Sequence, residues 1–106
     1  MENKLPSKIK VLSQTLTIIE EPNIEFGESL VGQIDHVKGN IYICSLMPIE
    51  KKKVVLIHEA LHSIFEQLGL NEKHDDEQLI NTLATSIYLL YTENKLLWFL
   101  RRLGLR

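Results

Sequence analysis

The sequence predicts an α+β fold, in which a small antiparallel sheet from the N-terminal half packs against three helices from the C-terminal half. Two observations predict it. Residues 8–45 contain four short segments rich in β-branched side chains, and residues 49–104 change to a helical spacing of apolar side chains. Because the strands precede the helices and do not alternate with them, the order favours an α+β domain.

Length and composition limit the class of protein. The chain has 106 residues, of which 44% are hydrophobic and 25% charged, with a net charge of −2. We therefore expect one domain over residues 1–106 and no nucleic-acid partner, since nucleic-acid-binding domains are usually strongly basic. The N-terminus lacks the apolar segment of a signal peptide, and no stretch reaches the ~18 apolar residues that span a bilayer. Together with a single cysteine, Cys44, these features predict a cytoplasmic protein without a membrane partner.

Four strands are predicted in the first half. Residues 8–13 and 15–20 are rich in β-branched side chains and partly alternate with polar ones. Residues 30–36 and 40–45 flank the short connection Val37-Lys38-Gly39, which predicts a hairpin. The fourth strand, NIYICS, directly precedes the first helix.

The first helix is predicted from Ile49 to about Leu68. Pro48 suits a first turn, Glu50 suits the helix dipole, and Gly69 suits the C-terminal end. Its buried stripe is predicted to contain Val54, Ile57, Leu61, Ile64, Phe65 and Leu68.

Two more helices are predicted after a polar connection. One runs from about Asp76 to Tyr91, with a buried stripe of Ile80, Leu83, Ala84, Ile87 and Tyr91. A third short helix begins at Glu93 or Asn94 and ends near Gly104. We expect its apolar side chains to pack onto the domain. A homodimer through this C-terminal helix is a second hypothesis, and a helix that binds a membrane surface or a partner is a third.

The string HEALH, at residues 58–62, is the strongest chemical signal in the sequence. On a helix, His58 and His62 project to one side, where both imidazoles can reach one metal ion at the ~2.0–2.1 Å distance of zinc. Both lie at the border of the apolar stripe. Glu59 points about 100° away, toward the polar face, and is suited to accept a proton from a metal-activated water. The alternative interpretation is an amphipathic helix that happens to carry two histidines.

A catalytic zinc usually has a third protein ligand. The sequence excludes the HExxHxxGxxH pattern, because Phe65 and Leu68 stand at its glycine and last histidine. Glu77, at the border of the next helix's apolar stripe, is the preferred third ligand. The neighbouring His74, Asp75 and Asp76 are alternatives, although a solvated loop and a helix cap also explain these three.

Two motifs resemble a known family. VVLIHEALHSI at residues 54–64 resembles the zincin consensus, and EQLINTLA at residues 77–84 resembles the E-x-x-A-N-x-F-A segment of the ImmA/IrrE metallopeptidases. That family occurs in bacteria, phages and mobile elements, and the similarity covers about residues 31–91. Ile80 and Leu83 stand where the family has alanine and phenylalanine.

The resemblance implies a minimal zincin-like metallopeptidase of the phage type, with Zn²⁺ held by His58, His62 and Glu77 and with Glu59 as catalytic base. It implies hydrolysis of a protein or peptide substrate such as a repressor or another regulatory protein. It also implies that the strand at residues 40–45 is a sheet edge that pairs with an extended substrate, whereas an inner strand is the alternative. A second functional hypothesis is a zincin-fold protein without catalysis that acts by binding a partner protein. Iron, manganese or cobalt could replace zinc.

Overall fold

The computed structural model describes residues 4–24 and 31–94, except for the side chain of His74. Within these residues it contains four strands and three helices, which confirms the α+β class. The elements are β1 Lys8–Val11, β2 Gln14–Glu21, β3 Gly32–Asp35, β4 Asn40–Cys44, α1 Ile49–Gln67, α2 Asn71–His74 and α3 Glu77–Asn94.

The four strands form one mixed sheet with the order β1-β2-β4-β3. The pairs β1–β2 and β3–β4 are antiparallel hairpins, but β2 and β4 are parallel. The prediction of an antiparallel sheet is therefore wrong at the central pair. The physical reason is the link at residues 22–31, which is longer than a hairpin loop of about 2–5 residues, so that β2 and β3 need not be neighbours.

The strand order also decides which strand lies at the edge beside the helices. β4 lies between β2 and β3, so the interpretation of residues 40–45 as a sheet edge is wrong and the inner-strand alternative holds. Among the strands of residues 4–24 and 31–94, the edge strand on that side is β3, which contacts α1.

The sheet and α1 enclose the main core. Leu16 on β2 and Ile41 and Ile43 on β4 are fully buried, and Val55, Leu56 and Ala60 of α1 pack against their cluster. Because side chains alternate along a strand, the intervening residues Thr17, Asn40 and Tyr42 project to the opposite face of the sheet.

A second cluster joins α1 to α3. Leu61 packs with the fully buried Ile80 and Ala84, and the partly buried members are Val54, Ile57, Ile64, Phe65 and Leu83. The predicted stripe of α1 therefore describes mainly the side that packs on α3, and its member Ile64 also packs on the sheet cluster. The second side of α1, which packs on the sheet, otherwise consists of residues that the stripe does not include.

The ends of α1 are close to the predicted ones. The amide of Leu70 donates to the carbonyl of Phe65, and the amide of Gly69 donates to that of Glu66. With Gly69 at φ +73°, these two bonds form a Schellman motif that ends the helix. The predicted burial of Leu68 is wrong, since this residue is exposed beyond the last turn.

The helix α3 begins near the predicted residue but extends further. The Asp76 side chain caps it by accepting the Leu79 amide at 3.0 Å. The predicted burial of Ile87 and Tyr91 is wrong, because they are 41% and 48% exposed. Residues 93 and 94 belong to α3 and do not start a new helix. The rest of the predicted third helix, and with it the predicted dimer contact, lies outside the described residues.

A polar cluster ties the last turn of α1 to the first hairpin. The Gln67 Nε2 donates to the Val11 carbonyl at 2.9 Å and to the fully buried Ser63 Oγ at 2.8 Å. The Gln67 Oε1 accepts the amide and the hydroxyl of Ser13. These bonds hold α1 in one register against the sheet. None of the described helices is long and apolar enough to cross a membrane.

This cluster predicts a stability effect. Replacing Gln67 by methionine keeps the shape of the side chain but leaves its partners unsatisfied, so the free energy of unfolding should fall by about 1–3 kcal/mol. Urea denaturation followed by circular dichroism measures it. The control is Gln78→Met at an exposed site of α3, which should change stability by no more than about 0.5 kcal/mol. Equal stability of the two variants would contradict the role of the cluster.

Candidate metal centre

Three side chains from two helices converge on one point. The Nε2 atoms of His58 and His62 are 3.2 Å apart. The two carboxylate oxygens of Glu77 lie 3.0 Å from the His58 Nε2 and 2.9 Å from the His62 Nε2. The structure therefore brings together the three residues that the sequence proposed as ligands, and their ligand atoms all lie within 4.8 Å of one another.

The regular geometry of α1 places the two histidines. Residues four apart lie above each other on one side of a helix. The ring centroids are 4.9 Å apart with an angle of 64° between the ring planes. The rings are therefore not stacked. Their Nε2 atoms face the same point from two sides and are 3.2 Å apart. This point lies between the side of α1 that packs on α3 and the side that packs on β3.

The packing of α3 on α1 places Glu77. This residue is the first of α3, one helical turn before the fully buried Ile80 and two turns before Ala84. The fourteen residues between His62 and Glu77 contain the last turn of α1, the turn at Gly69 and the short helix α2, and this length suffices to bring Glu77 back to the histidines. The side chain of Glu77 is 60% exposed and that of His62 is 9% exposed, so the site opens to solvent on the Glu77 side.

The alternative third ligands lie elsewhere where the structure describes them. Asp76 uses its carboxylate to cap α3, and Asp75 is exposed at the end of α2. Neither belongs to the cluster of ligand atoms found among the described residues. The cap interpretation is thus confirmed for Asp76. The side chain of His74 lies outside the described residues.

The donor set and its spacing fit a zinc ion. Zinc takes imidazole nitrogens and carboxylate oxygens at about 2.0–2.1 Å, so neighbouring ligand atoms of a tetrahedral site are about 3.3 Å apart. The two Nε2 atoms are 3.2 Å apart, and each lies 2.9–3.0 Å from a different oxygen of the Glu77 carboxylate, so the donor atoms are close enough to share one ion. Two imidazole nitrogens at such a distance repel each other through their lone pairs unless a proton or a cation lies between them. His58, His62 and Glu77 could therefore hold a metal ion.

Glu59 lies beside these ligands but is not one of them. Its Oε2 is 3.9 Å from the His58 Nε2. The expectation that it points toward the polar face is wrong, because Glu59 is only 5% exposed. The reason is that β3 covers this side of α1: a Cβ built on Gly32 would lie 3.1 Å from the Glu59 Oε2.

The surroundings of Glu59 change its acidity. Burial, and after it the negative charge of Glu77, raise the pKa of Glu59 from 4.5 to about 8. The metal-free protein therefore keeps this carboxyl largely protonated at neutral pH. A divalent cation among the three ligands would oppose the charge of Glu77 and favour the ionised form of Glu59.

One residue that contacts this site, Gly32, was not predicted from the sequence. Gly32 lies on the strand next to the site, and its backbone faces Glu59 and Val55. A glycine inside a strand pattern often marks a close approach of another element, so the segment LVGQIDH carried a signal for it.

No protein-family model, curated protein or solved structure matches this chain. The resemblance to the ImmA/IrrE metallopeptidases thus stays a prediction from the two motifs at residues 54–64 and 77–84. The spacing of the ligand atoms is a separate observation, since it depends on how α1 and α3 pack and not on the motifs alone.

The site predicts binding of one zinc ion per chain. His62→Ala and Glu77→Ala should each weaken zinc binding by more than about 10–100-fold, the loss that changes of outer-shell partners already cause. Isothermal titration calorimetry with zinc chloride measures the affinity. The matched control is Glu72→Ala, which removes an exposed carboxylate from α2 and should leave the affinity unchanged. An unaltered zinc affinity in both ligand variants would show that these residues do not form a zinc site.

The raised pKa predicts a pH dependence of stability without metal. Between pH 4.5 and about 8 the unfolded chain releases the Glu59 proton that the folded protein keeps, so stability falls as the pH rises through this window. The maximal decrease is about 5 kcal/mol. Glu59→Gln retains both histidines and should lack this part of the decrease.

Urea denaturation in EDTA at pH 5–8 tests this expectation. The informative quantity is the difference in the free energy of unfolding between the wild type and Glu59→Gln at each pH, because all other titrating groups are common to both proteins. Glu66→Gln, at an exposed position of the same helix, serves as the control and should behave like the wild type. If the free energy of unfolding varied with pH in the same way for all three proteins, the raised pKa of Glu59 would be contradicted.

Proposed function

We propose that this protein is a zinc-dependent peptidase, in which His58, His62 and Glu77 hold the metal and Glu59 transfers protons. One observation carries the proposal: two imidazoles and a carboxylate converge, and a second carboxyl group, which is buried, lies 3.9 Å from one of the ligand atoms. This arrangement provides separate groups for metal binding and for general acid–base catalysis.

Zinc held by these ligands would act as a Lewis acid that lowers the pKa of water and polarises a peptide carbonyl. Glu59 would accept the proton of the attacking water and deliver it to the leaving amine. A carboxyl group with a pKa between its ordinary value and about 8 can do both near neutral pH. Its burial against β3 restricts the carboxyl to one place, which is what an oriented proton transfer requires.

The position of β3 supports a peptide substrate. β3 is the edge strand on the Glu59 side of α1, and an extended peptide can add to a sheet edge through main-chain hydrogen bonds. A peptide bound in this way would run past Glu59 and the metal ligands. In this proposal β3 takes the role that the resemblance assigned to residues 40–45. A repressor or another regulatory protein in the cytoplasm remains the substrate that the resemblance suggests.

The proposal predicts that Glu59→Gln binds zinc but does not hydrolyse peptides. The amide keeps the size of the side chain and cannot accept the proton, so kcat should fall by at least about 10²–10⁴-fold. A mixture of short peptides, incubated with the zinc-loaded protein and analysed by mass spectrometry, reports cleavage. Glu66→Gln is the control and should cleave like the wild type.

Two outcomes would contradict the proposal. Equal cleavage by the wild type and Glu59→Gln would exclude Glu59 as the base. A zinc-loaded wild type that cleaves no peptide, but forms a stoichiometric complex with a partner protein that survives Glu59→Gln, would favour the partner-binding hypothesis.

A further inference from the structure

We propose that Gly32 is a positioning residue for the Glu59 carboxyl group; its effect on catalysis rests on the proposed peptidase function. Gly32 is the first residue of β3, and it has no side chain on the side of the strand that faces α1. The absence of a side chain at this position determines where the Glu59 carboxyl lies.

The space around Gly32 is already filled by α1. A Cβ at this position would overlap the Val55 Cγ1 and would lie 3.1 Å from the Glu59 Oε2. Val55 and Glu59 are one helical turn apart, so both project from the same side of α1 toward the strand. Only glycine lets this turn of α1 lie so close to β3.

The sheet register explains why a side chain at this position would point at the helix. Gly32 is paired with Ile43, which is fully buried in the core cluster between the sheet and α1. Cross-strand partners project to the same face of a sheet. Ile34, two residues along β3, also packs against this cluster. A Cβ at residue 32 therefore points toward α1.

Space, not backbone conformation, is what requires glycine here. Among the described residues the glycines with positive φ are Gly39 and Gly69, and Gly32 is not one of them. An alanine could adopt the backbone conformation of Gly32, so its effects would arise from close contacts with α1, since the next nearest atom, the Tyr42 carbonyl oxygen, is at an ordinary contact distance of 3.5 Å.

The atom in contact with Gly32 is also the one that faces the ligands. The Glu59 Oε2 lies 3.9 Å from the His58 Nε2. A methyl group at residue 32 would displace this oxygen relative to the ligands, while its three nearest neighbouring atoms belong to Val55, Glu59 and Tyr42 and not to a ligand residue. A misplacement of about 1 Å can reduce a catalytic rate by 10²-fold. Gly32 should therefore affect kcat more than zinc binding.

The catalytic test uses Gly32→Ala, Val55→Ala and the double variant. Gly32→Ala should lower kcat by at least about 10-fold and should lower the zinc affinity much less than His62→Ala or Glu77→Ala does. Val55→Ala removes the overlapping methyl group, so the double variant should fold even if Gly32→Ala does not. In the double variant the methyl group added at residue 32 still contacts Glu59. The double variant should therefore have a lower kcat than Val55→Ala.

Gly69→Ala is the control. It strains a residue at φ +73° but has no atom within 4 Å of the added Cβ, so it should destabilise the protein without changing kcat. Equal kcat values for Val55→Ala and the double variant would overturn the inference and leave the peptidase proposal intact.

A measurement on the metal-free protein tests the contact itself. In a double-mutant cycle of Gly32→Ala with Glu59→Ala, the shift of the urea midpoint caused by Gly32→Ala should be smaller when Glu59 is absent. The cycle is repeated with Val55→Ala throughout to keep all four proteins folded. Additive shifts would overturn the inference. Coupled shifts in a protein that neither binds zinc nor cleaves peptides would uphold the contact and reject the peptidase proposal.

Discussion

The helix α1 packs on two sides, against the sheet and against α3, and the remaining features of the site depend on this arrangement. Its sheet side contacts the cluster around Ile41 and Ile43, and its other side contacts Ile80 and Ala84. One border between these two sides carries the histidine pair. A helix packed on one side only would leave that border in solvent, where no second element could contribute a ligand to it.

This double packing gives two glutamates opposite properties. Glu77, the first residue of α3, lies at the solvent side of the border, remains mostly exposed, and has one carboxylate oxygen within 3.0 Å of the Nε2 atom of each histidine. Glu59 lies on the β3 side, where burial disfavours the charged form and raises its pKa to about 8. One carboxyl group is thus suited to bind a cation and the other to exchange a proton. The environments of the two residues, and not their chemical type, make this difference.

Much of the fold and most of the candidate site could be predicted from local patterns. The HEALH spacing predicts the direction of both histidines because it depends only on helix geometry, and the stripe on α3 placed Glu77 at its border. Three features could not be predicted, since each depends on which elements become neighbours. The parallel pairing of β2 with β4 is permitted, but not dictated, by the long link between β2 and β3. The burial of Glu59 arises from the second packed side of α1, which a single apolar stripe does not reveal. A glycine within a strand pattern signals a close approach, but the identity of the residues that Gly32 approaches requires knowledge of that same contact.

A crystal structure of the zinc-loaded protein, with anomalous diffraction recorded at the zinc absorption edge, would test whether His58, His62 and Glu77 together bind one metal ion. We expect one anomalous peak, about 2.0–2.2 Å from the Nε2 atoms of both histidines and from a Glu77 carboxylate oxygen. Glu59 should lie outside bonding distance of this peak. A zinc ion held by Cys44 or by other residues, or the absence of a peak between α1 and α3, would contradict this expectation.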